Sequence, residues 1–557
     1  MAVLYRQGAV LDFYRRRAAR LLPAYFVTVI ITVIASSFLT LPSEHDQVVT
    51  QGLFASALAS NIGFWLQNSY FSKSEFNPLL HLWSLGVEFQ FYLIVPAIVW
   101  LLRKRSSLLL AVGMLSLMGA LLMVTISPKT AFFMMPLRLW QFLTGAGAAW
   151  YLTHNGQVRQ QRPAIGAAAL GLILLIVAFY RIDGQATDII SGHPGLAALI
   201  VTIATAVVLT FGLPLALVRS TMGRTLARVG DWSYSIYLAH FPVIVLVLYV
   251  PFSGSILSFS NLQQGVALAV LITVASALLY MLVERHRSWS GHMGVGAGLL
   301  IATACVSLVS SPLSRSQFDT ADLNILGAFS DRAPYRCGKL VRIMSPGAAL
   351  CELTRNLPAD APALLLVGDS HADAIKSSFA RVAHQRGYRL LFTVSNAPII
   401  GSPSTDQLIA EARDKGAVGV IMHFASGNAG RVFETGFHTA AAEAALDLVW
   451  FLPVPTYAET VPDLLWRARP DSPTDIQPHN GDVVSALTGH LHAASVVTHD
   501  PWSALCPDGC MIKDKEGHPF YFDASHLTLT GARQLEGVMN VILDHFMRAE
   551  KSVSAAQ

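Results

Sequence analysis

The 557 residues are 53% hydrophobic and only 13% charged, too apolar for one soluble globule and long enough for several units. A net charge of +4, with basic residues in short blocks between apolar runs, sets membrane topology and gives no support to nucleic-acid binding. The opening MAVLYRQGAVLDFYRRR has no apolar stretch with a cleavage site, so no signal peptide is expected.

Crossing a bilayer takes about 20 apolar residues. Such stretches lie near 21–41, 83–102, 106–126, 131–152, 163–180, 195–218, 234–251, 265–283 and 293–313. The basic blocks between them are Arg15, Arg16, Arg17 and Arg20, then Arg103, Lys104 and Arg105, then Arg159 and Arg162, then Arg219, Arg224 and Arg228, then Arg285 and Arg287. They fall at alternate connections, as cytoplasmic loops should. A further uncharged stretch, 48–67, contains Gln51, Asn61 and Gln67. Were it to cross, every later block would change sides, so it is read as re-entrant or interfacial, lying against protein. Nine spans from a cytoplasmic Arg15–Arg20 block place residues 314–557 outside the cytoplasm.

Polar residues within these spans are expensive and therefore candidates for function. His81 sits at a membrane edge, with Glu88 about two helical turns further in. Arg138 lies in another span, and Tyr234, Tyr237 and His240 open a third. Their density points to a polar cavity in the bundle, although packing alone could account for any one of them.

Charge becomes denser after residue 313, and SPLSRSQFDTADLN (311–324) marks the change. A linker is expected over 314–336 and a soluble domain over 337–557. Cys305 reads as a small buried hydrophobe in the last span. Cys337, Cys351, Cys506 and Cys510 all lie in the soluble part. Disulfides 337–351 and 506–510 are the economical pairing and need an oxidising compartment. A zinc site built from the same four finds no supporting histidine spacing, so no metal is expected.

From residue 360 apolar β-type runs alternate with helical patterns: ALLLVGD, RLLFTVSN, AVGVIMHFAS, LDLVWFLPVP and SVVTHD are the strands. Alternation of this kind implies a three-layer α/β fold with a parallel sheet, whose ligands bind at the carboxyl ends of the strands. Ser370 stands at such an end, where free backbone N–H groups favour an oxyanion. A serine needs a base held by an orienting group. Asp523 and His526, in YFDASHLTLTGA before the last helix, can supply both.

The blocks Gly368-Asp369-Ser370-His371 and Asp523-Ala-Ser-His526 resemble the SGNH (GDSL-like) hydrolases. The resemblance implies Ser370 as nucleophile, His526 as general base, Asp523 as its orienter, and a glycine and an asparagine as oxyanion donors. Gly368 and Asn428 are the candidates, with Asn396 behind them. FYRRRAARLLPAY, HLWSLGVEFQFY, RLWQFLTGAGAAW, GDWSYSIYLAHFP and LLYMLVER, in this order through residues 11–287, resemble the acyltransferase family 3 of membrane O-acyltransferases. The whole chain resembles the subfamily in which that membrane domain (1–290 here) is joined by one further span (291–313) to a periplasmic SGNH domain.

That resemblance implies an O-acetyltransferase of the bacterial inner membrane. Cytoplasmic acetyl-CoA, held by Arg15, Arg16, Arg17 and Arg20, would be the acyl donor, with no resident cofactor. A cell-surface polysaccharide such as lipopolysaccharide O-antigen, or a lipid-linked oligosaccharide, would be the acceptor. It also implies two more spans before Phe13, giving eleven with the same topology, and a proline where His286 stands. A membrane-tethered glycan esterase and a transporter with a glycan-binding tail are the competing readings.

Overall fold

The computed structural model describes residues 9–67, 75–154, 162–180, 186, 188–286, 293–334, 337, 348–393, 404–433, 437–469 and 476–556. The chain divides into two compact units, Met1–Ser314 and Arg315–Gln557.

The first unit is helical. Its main helices are α1 (Ala9–Leu39), α2 (Pro42–Ser56), α3 (Ser60–Leu66), α4 (Trp83–Lys104), α5 (Ser106–Ile126), α6 (Leu139–His154), α7 (Pro163–Phe179), α8 (Leu196–Phe211), α9 (Ser233–Val247), α10 (Leu262–Leu279) and α11 (Met293–Arg315). Among the described residues five helical stretches are long and apolar enough to cross a membrane, and α7, α8 and α9 are shorter apolar helices. Side chains such as Leu110, Leu115, Met118 and Leu122 on α5 and Leu174, Leu175 and Val177 on α7 stand exposed, the surface a protein offers to lipid rather than water. The core gathers Tyr25, Phe26 and Val29 of α1 with Leu85 and Phe89 of α4 and Leu238 and Val245 of α9.

Three expected spans differ in detail. The stretch 131–152 is not one helix: Met134 is extended, Pro136 sits in a 3-10 turn, and only Leu139–His154 is continuous, because proline supplies no N–H to the helix ladder. The stretch 195–218 stops at Phe211, where Gly212 takes φ +72° and Pro214 follows. The third, expected over 234–251, ends at Val247.

The uncharged stretch 48–67 breaks into α2 and α3 at Leu58, whose φ is +54°, and buries Gln51 and Asn61. Gln51 donates to the Phe76 carbonyl at 2.9 Å and Asn61 to the Phe133 carbonyl at 3.1 Å, so protein satisfies these amides, as an apolar solvent requires. One turn earlier, His45 bonds Ser36 of α1 at 2.8 Å and Ser310 of α11 at 3.0 Å, and Ser311 donates to Asp46 at 2.6 Å. At Gly52 an added Cβ would come within 2.5 Å of Ser307 Oγ. A polar seam therefore runs between α2 and α11. Cys305, expected buried, is exposed on α11; the seam turns the serines inward and leaves the cysteine on the other face.

In the second unit the residues expected to be a linker pack down instead. A helix at Thr320–Leu326, α12, is capped by Asp319 and buries Ile325 and Leu326. The sheet has strands β1 (Leu350–Glu352), β2 (Ala363–Gly368), β3 (Arg389–Thr393), β4 (Ala417–His423), β5 (Asp447–Phe451) and β6 (Val497–His499), in the spatial order β1-β3-β2-β4-β5-β6. All neighbours are parallel except β1, an antiparallel edge strand on β3 that the sequence pattern did not suggest. Leu364, Leu366, Phe392 and Ile421 face one apolar cluster, and Leu365, Leu391, Val420 and Met422 face the other. This alternation buries both faces of the sheet. Helices Ser370–Gln385 (α13) and Glu536–Ala556 (α14) pack in the first layer. Disulfides join Cys337 to Cys351 and Cys506 to Cys510, as the spacing suggested.

Candidate active site

Chain order reverses at β2, which lies between β3 and β4. In an open α/β sheet the crevice beyond that strand's carboxyl end is where ligands bind. Ser370 stands there as the first residue of α13 and is solvent-exposed. Glycine is required at 368, because an added Cβ would lie 2.0 Å from the His423 carbonyl oxygen of the adjacent strand. Asp369 caps α13 through a 2.9 Å bond from the His371 N–H. Its other oxygen accepts from the Ala425 N–H at 3.0 Å and from the Asn428 amide at 2.8 Å. The carboxylate therefore ties the loop after β4 to the serine's turn.

His526 comes from the other end of the domain, on a turn pinned by its neighbours. Tyr457 N–H donates to the Ala524 carbonyl at 2.8 Å, Phe522 N–H to the His526 carbonyl at 3.0 Å, and Thr528 N–H to the Phe520 carbonyl at 2.9 Å. Asp523 Oδ1 accepts the backbone N–H groups of Ser525 and His526, at 2.8 and 2.7 Å, which leaves Oδ2 to take Nδ1 of His526 at 2.7 Å. Nε2 of His526 then lies 2.7 Å from Ser370 Oγ. With Nδ1 protonated toward Asp523, Nε2 is the acceptor and the serine hydroxyl donates to it. The Phe522 ring stacks on the imidazole, centroids 5.5 Å apart and planes 13° apart.

Electrostatics follow from these contacts. Burial alone would raise the Asp523 carboxyl, but the bond and charge of His526 and the two backbone N–H groups hold it below its ordinary value. Burial opposes the charged His526, yet Asp523, with Asp369 and Asp373 further off, lifts it above 6.5. Asp369 is likewise held low, burial being outweighed by Asn428, His371 and the backbone N–H groups. Two further histidines stand behind the first. His371, its ring 4.7 Å from that of His526, is pushed down to about 3 by burial and by His526. His423 is lowered by burial and bonds the Phe451 carbonyl at 3.0 Å. Burial disfavours the charged form of both, which leaves His526 as the imidazole of this group placed to exchange a proton with Ser370. Sequence reasoning missed them: His371 was a letter of the motif, and nothing local signalled its burial.

The geometry gathers Ser370, Asp523 and His526 into one relay and brings Gly368 and Asn428 beside it. Asn396 lies outside the described residues. Such a relay can take a proton from the serine, hold it as imidazolium, and return it to a leaving group. Asp514, Glu516 and His518 bring ligating atoms within 4.8 Å of one another, and His518 is bonded to Asp514 at 3.0 Å.

Direct contacts join the polar residues of the helical unit in small groups, and Glu88 lies within electrostatic reach of Tyr234 and Tyr237. His81, Tyr237 and His240 meet, with ring centroids 5.4 and 5.6 Å from His81, and the Tyr237 hydroxyl bonds Ser84 at 2.5 Å and the His81 carbonyl. Glu88 bonds Tyr92. Arg138 sits over Trp83 and Phe132 and donates to His193 Nε2 at 3.1 Å, a partner that sequence reasoning did not name. Tyr234 donates to the Leu21 carbonyl at 2.8 Å. Of the four arginines opening α1, Arg15, Arg16 and Arg20 are exposed, and Arg17 stacks on Phe13 and Tyr92.

A bundle of apolar helices carrying buried polar groups, followed by an α/β domain with a serine relay, defines a membrane protein with a nucleophilic serine site. Comparison with known proteins gives its family. A family model described as an acyltransferase domain matches residues 1–281, and another, an SGNH domain of the kind fused to such domains, matches 336–540. The chain belongs to the acyltransferase-3 family in its SGNH-fused form and is a multi-pass membrane acyltransferase.

A Komagataeibacter xylinus protein named as a membrane-bound transacylase, BcsY, is 30% identical over 308 residues, 54% of this chain and 76% of that protein. The O-acetyltransferase OatA of Staphylococcus aureus is 27% identical over 256 residues, 43% of this chain. The match spans only 41% of that relative's length. Among solved structures, the periplasmic domain of a Salmonella Paratyphi A lipopolysaccharide acetyltransferase matches at 14% identity with a TM-score of 0.31, over 41% of this chain and 98% of that one. A likeness of that order decides nothing about function.

Proposed function

We propose that the protein is an O-acetyltransferase that moves an acetyl group from cytoplasmic acetyl-CoA to a hydroxyl of a cell-surface glycan such as lipopolysaccharide O-antigen. The membrane is the bacterial inner membrane and the α/β unit is periplasmic. The observation that carries this reading is the 2.7 Å contact between His526 and an exposed Ser370, on a domain joined to a membrane acyltransferase. The name of the Staphylococcus aureus relative supports acetyl as the group, and that of a Listeria monocytogenes relative, 27% identical over 257 residues and named as a peptidoglycan O-acetyltransferase, supports a glycan as the acceptor. The two disulfides and the alternation of basic loops support an outer location.

In the step assigned to the α/β unit, Ser370 Oγ attacks the acetyl carbonyl as its proton passes to Nε2 of His526. The donor's leaving group departs with that proton, and an acetyl ester remains on Ser370. His526 next takes the proton of a sugar hydroxyl, the sugar oxygen attacks the ester, and Ser370 recovers its proton. Asp523 holds the imidazole in the required tautomer and stabilises its cation. Gly368 and Asn428, with the backbone N–H groups at the start of α13, are the donors assigned to the oxyanion. On the other side of the bilayer, Arg15, Arg16, Arg17 and Arg20 suit the phosphates of acetyl-CoA, and His81, Glu88, Arg138, Tyr237 and His240 are the polar groups the transfer would use.

The test is the O-acetyl content of surface glycan, by NMR, in a deletion strain complemented with the full chain or with Ser370→Ala. Restoration by the former only is expected. Acetylation that rises on deletion would make the protein an esterase, and acetylation indifferent to Ser370→Ala would make the α/β unit a binding module.

A further inference from the structure

Between α8 and α9 the sequence builds a helix with two unlike faces, Thr221–Asp231. Ser220 starts it by accepting the Gly223 N–H at 2.9 Å. Met222, Leu226 and Val229 recur at steps of four and then three, which sets them on one stripe, and Arg224 and Arg228 fall four apart on the other side. Every residue of the helix except Gly223 is exposed, and the three apolar side chains are 62%, 62% and 51% open. A helix in water is marginal below about 12–15 residues, and this one has 11, two of them glycine. Its apolar stripe therefore needs a surface that the described residues do not supply.

Its place in the chain says which surface. The helix ends two residues before α9 begins. At that junction Trp232 stacks on Tyr280, just past the end of α10, with centroids 5.2 Å and planes 21° apart. Trp and Tyr gather at the headgroup level of a bilayer. The guanidinium groups of Arg219, Arg224 and Arg228 have no hydrogen bond or ion pair among the described residues. Against the single carboxylate of Asp231 they leave this connection positively charged.

We propose that the helix lies flat in the headgroup region of the membrane, with Met222, Leu226 and Val229 among the upper acyl chains and Arg224 and Arg228 binding the phosphates of anionic phospholipids. Burial of the apolar stripe holds the helix down. The guanidinium groups pair with phosphate in a bidentate way, and their charge favours a headgroup with no cation of its own. The serine relay takes no part in this contact, so the lipid site stands or falls independently of the proposed reaction.

The experiment uses the full chain with Cys305→Ser, carrying a fluorescent probe on Leu226→Cys or on Ala227→Cys, in nanodiscs of mixed phosphatidylcholine and phosphatidylglycerol. A doxyl quencher high on the acyl chain is attached to one lipid or the other. Lipid should quench the probe at 226, and aqueous iodide the probe at 227. Quencher carried on phosphatidylglycerol should act at 226 as though enriched about fivefold, the attraction of one arginine for an anionic surface. Arg224→Gln with Arg228→Gln should abolish that enrichment and leave the lipid quenching. Equal quenching by the two lipids, or an enrichment that survives the double substitution, would overturn the anionic-lipid assignment. A probe at 226 open to iodide would show the face in water, and one shielded from both quenchers would show it covered by protein; either would overturn the docking.

Discussion

The two units handle polar groups in opposite ways. In the α/β unit one line of bonds, Asp523 to His526 to Ser370, joins residues 156 positions apart and ends at solvent. In the helical unit polar side chains are joined two or three at a time: Ser235 to Glu284 at 2.6 Å, Arg138 to His193, His45 to Ser36 and Ser310. Water can complete any bond left over at the surface of the first unit, so a reactive hydroxyl can stand exposed. Lipid completes nothing, so the polar groups of the second depend on protein for their partners, and among the described residues the ring nitrogens of His81 and the Ser307 hydroxyl are buried without a hydrogen bond. An exposed relay advertises its chemistry, whereas buried pairs serve packing and function alike.

Substitutions can sharpen or break that contrast. Ser370→Ala should lower glycan acetylation at least about a thousandfold while leaving the thermal melt of the protein unchanged, since the side chain is exposed; a retained rate would remove the distinction between the units. Asp523→Asn should cost at least about a hundredfold. The rate of the unaltered protein should fall as pH drops through the raised value of His526, because the base must be neutral. In Asp523→Asn that acid limb should move to lower pH, which a pH–rate profile would show.

Gly368→Ala should destabilise the α/β unit by about 1–3 kcal/mol through the clash with the His423 carbonyl, read from denaturant melts. A subtler effect comes from His371. Its folded-state value of about 3 lies below the ordinary 6.5, so protons favour the unfolded chain. Stability is complete above pH 6.5 and is lost as pH falls toward 3, by about 2 kcal/mol at pH 5. His371→Asn should flatten that slope. The smallest effect is expected in lipid: Ser310→Ala removes one bond of the seam and should cost about 0.6 kcal/mol in a detergent-unfolding titration.

Much of this was legible in the sequence because it is periodic or local. The five parallel strands are apolar runs of strand length, and Asp523 and His526 sit three apart on one turn. The disulfide pairs followed from nearness along the chain. What escaped depends on contacts between distant segments. β1 is three residues long and exists only because β3 offers an edge. The segment 320–334 is polar enough to read as a tether, yet it is held by two backbone N–H groups some 200 residues away. Cys305 went to the opposite face because nothing in an apolar run says which side the serines will choose. His193 as the partner of Arg138 was invisible for the same reason.

The seam between α2 and α11 also governs rotation. Hydropathy alone inserts a helix into a bilayer but leaves it free to spin about its own axis, since every azimuth is equally apolar. Three hydroxyls at 307, 310 and 311 meeting Gly52, His45 and Asp46 set a single azimuth for α11. A generic membrane anchor of the same length would keep the chain in the bilayer while losing that angular setting, so this last helix is a keyed part and not an interchangeable one.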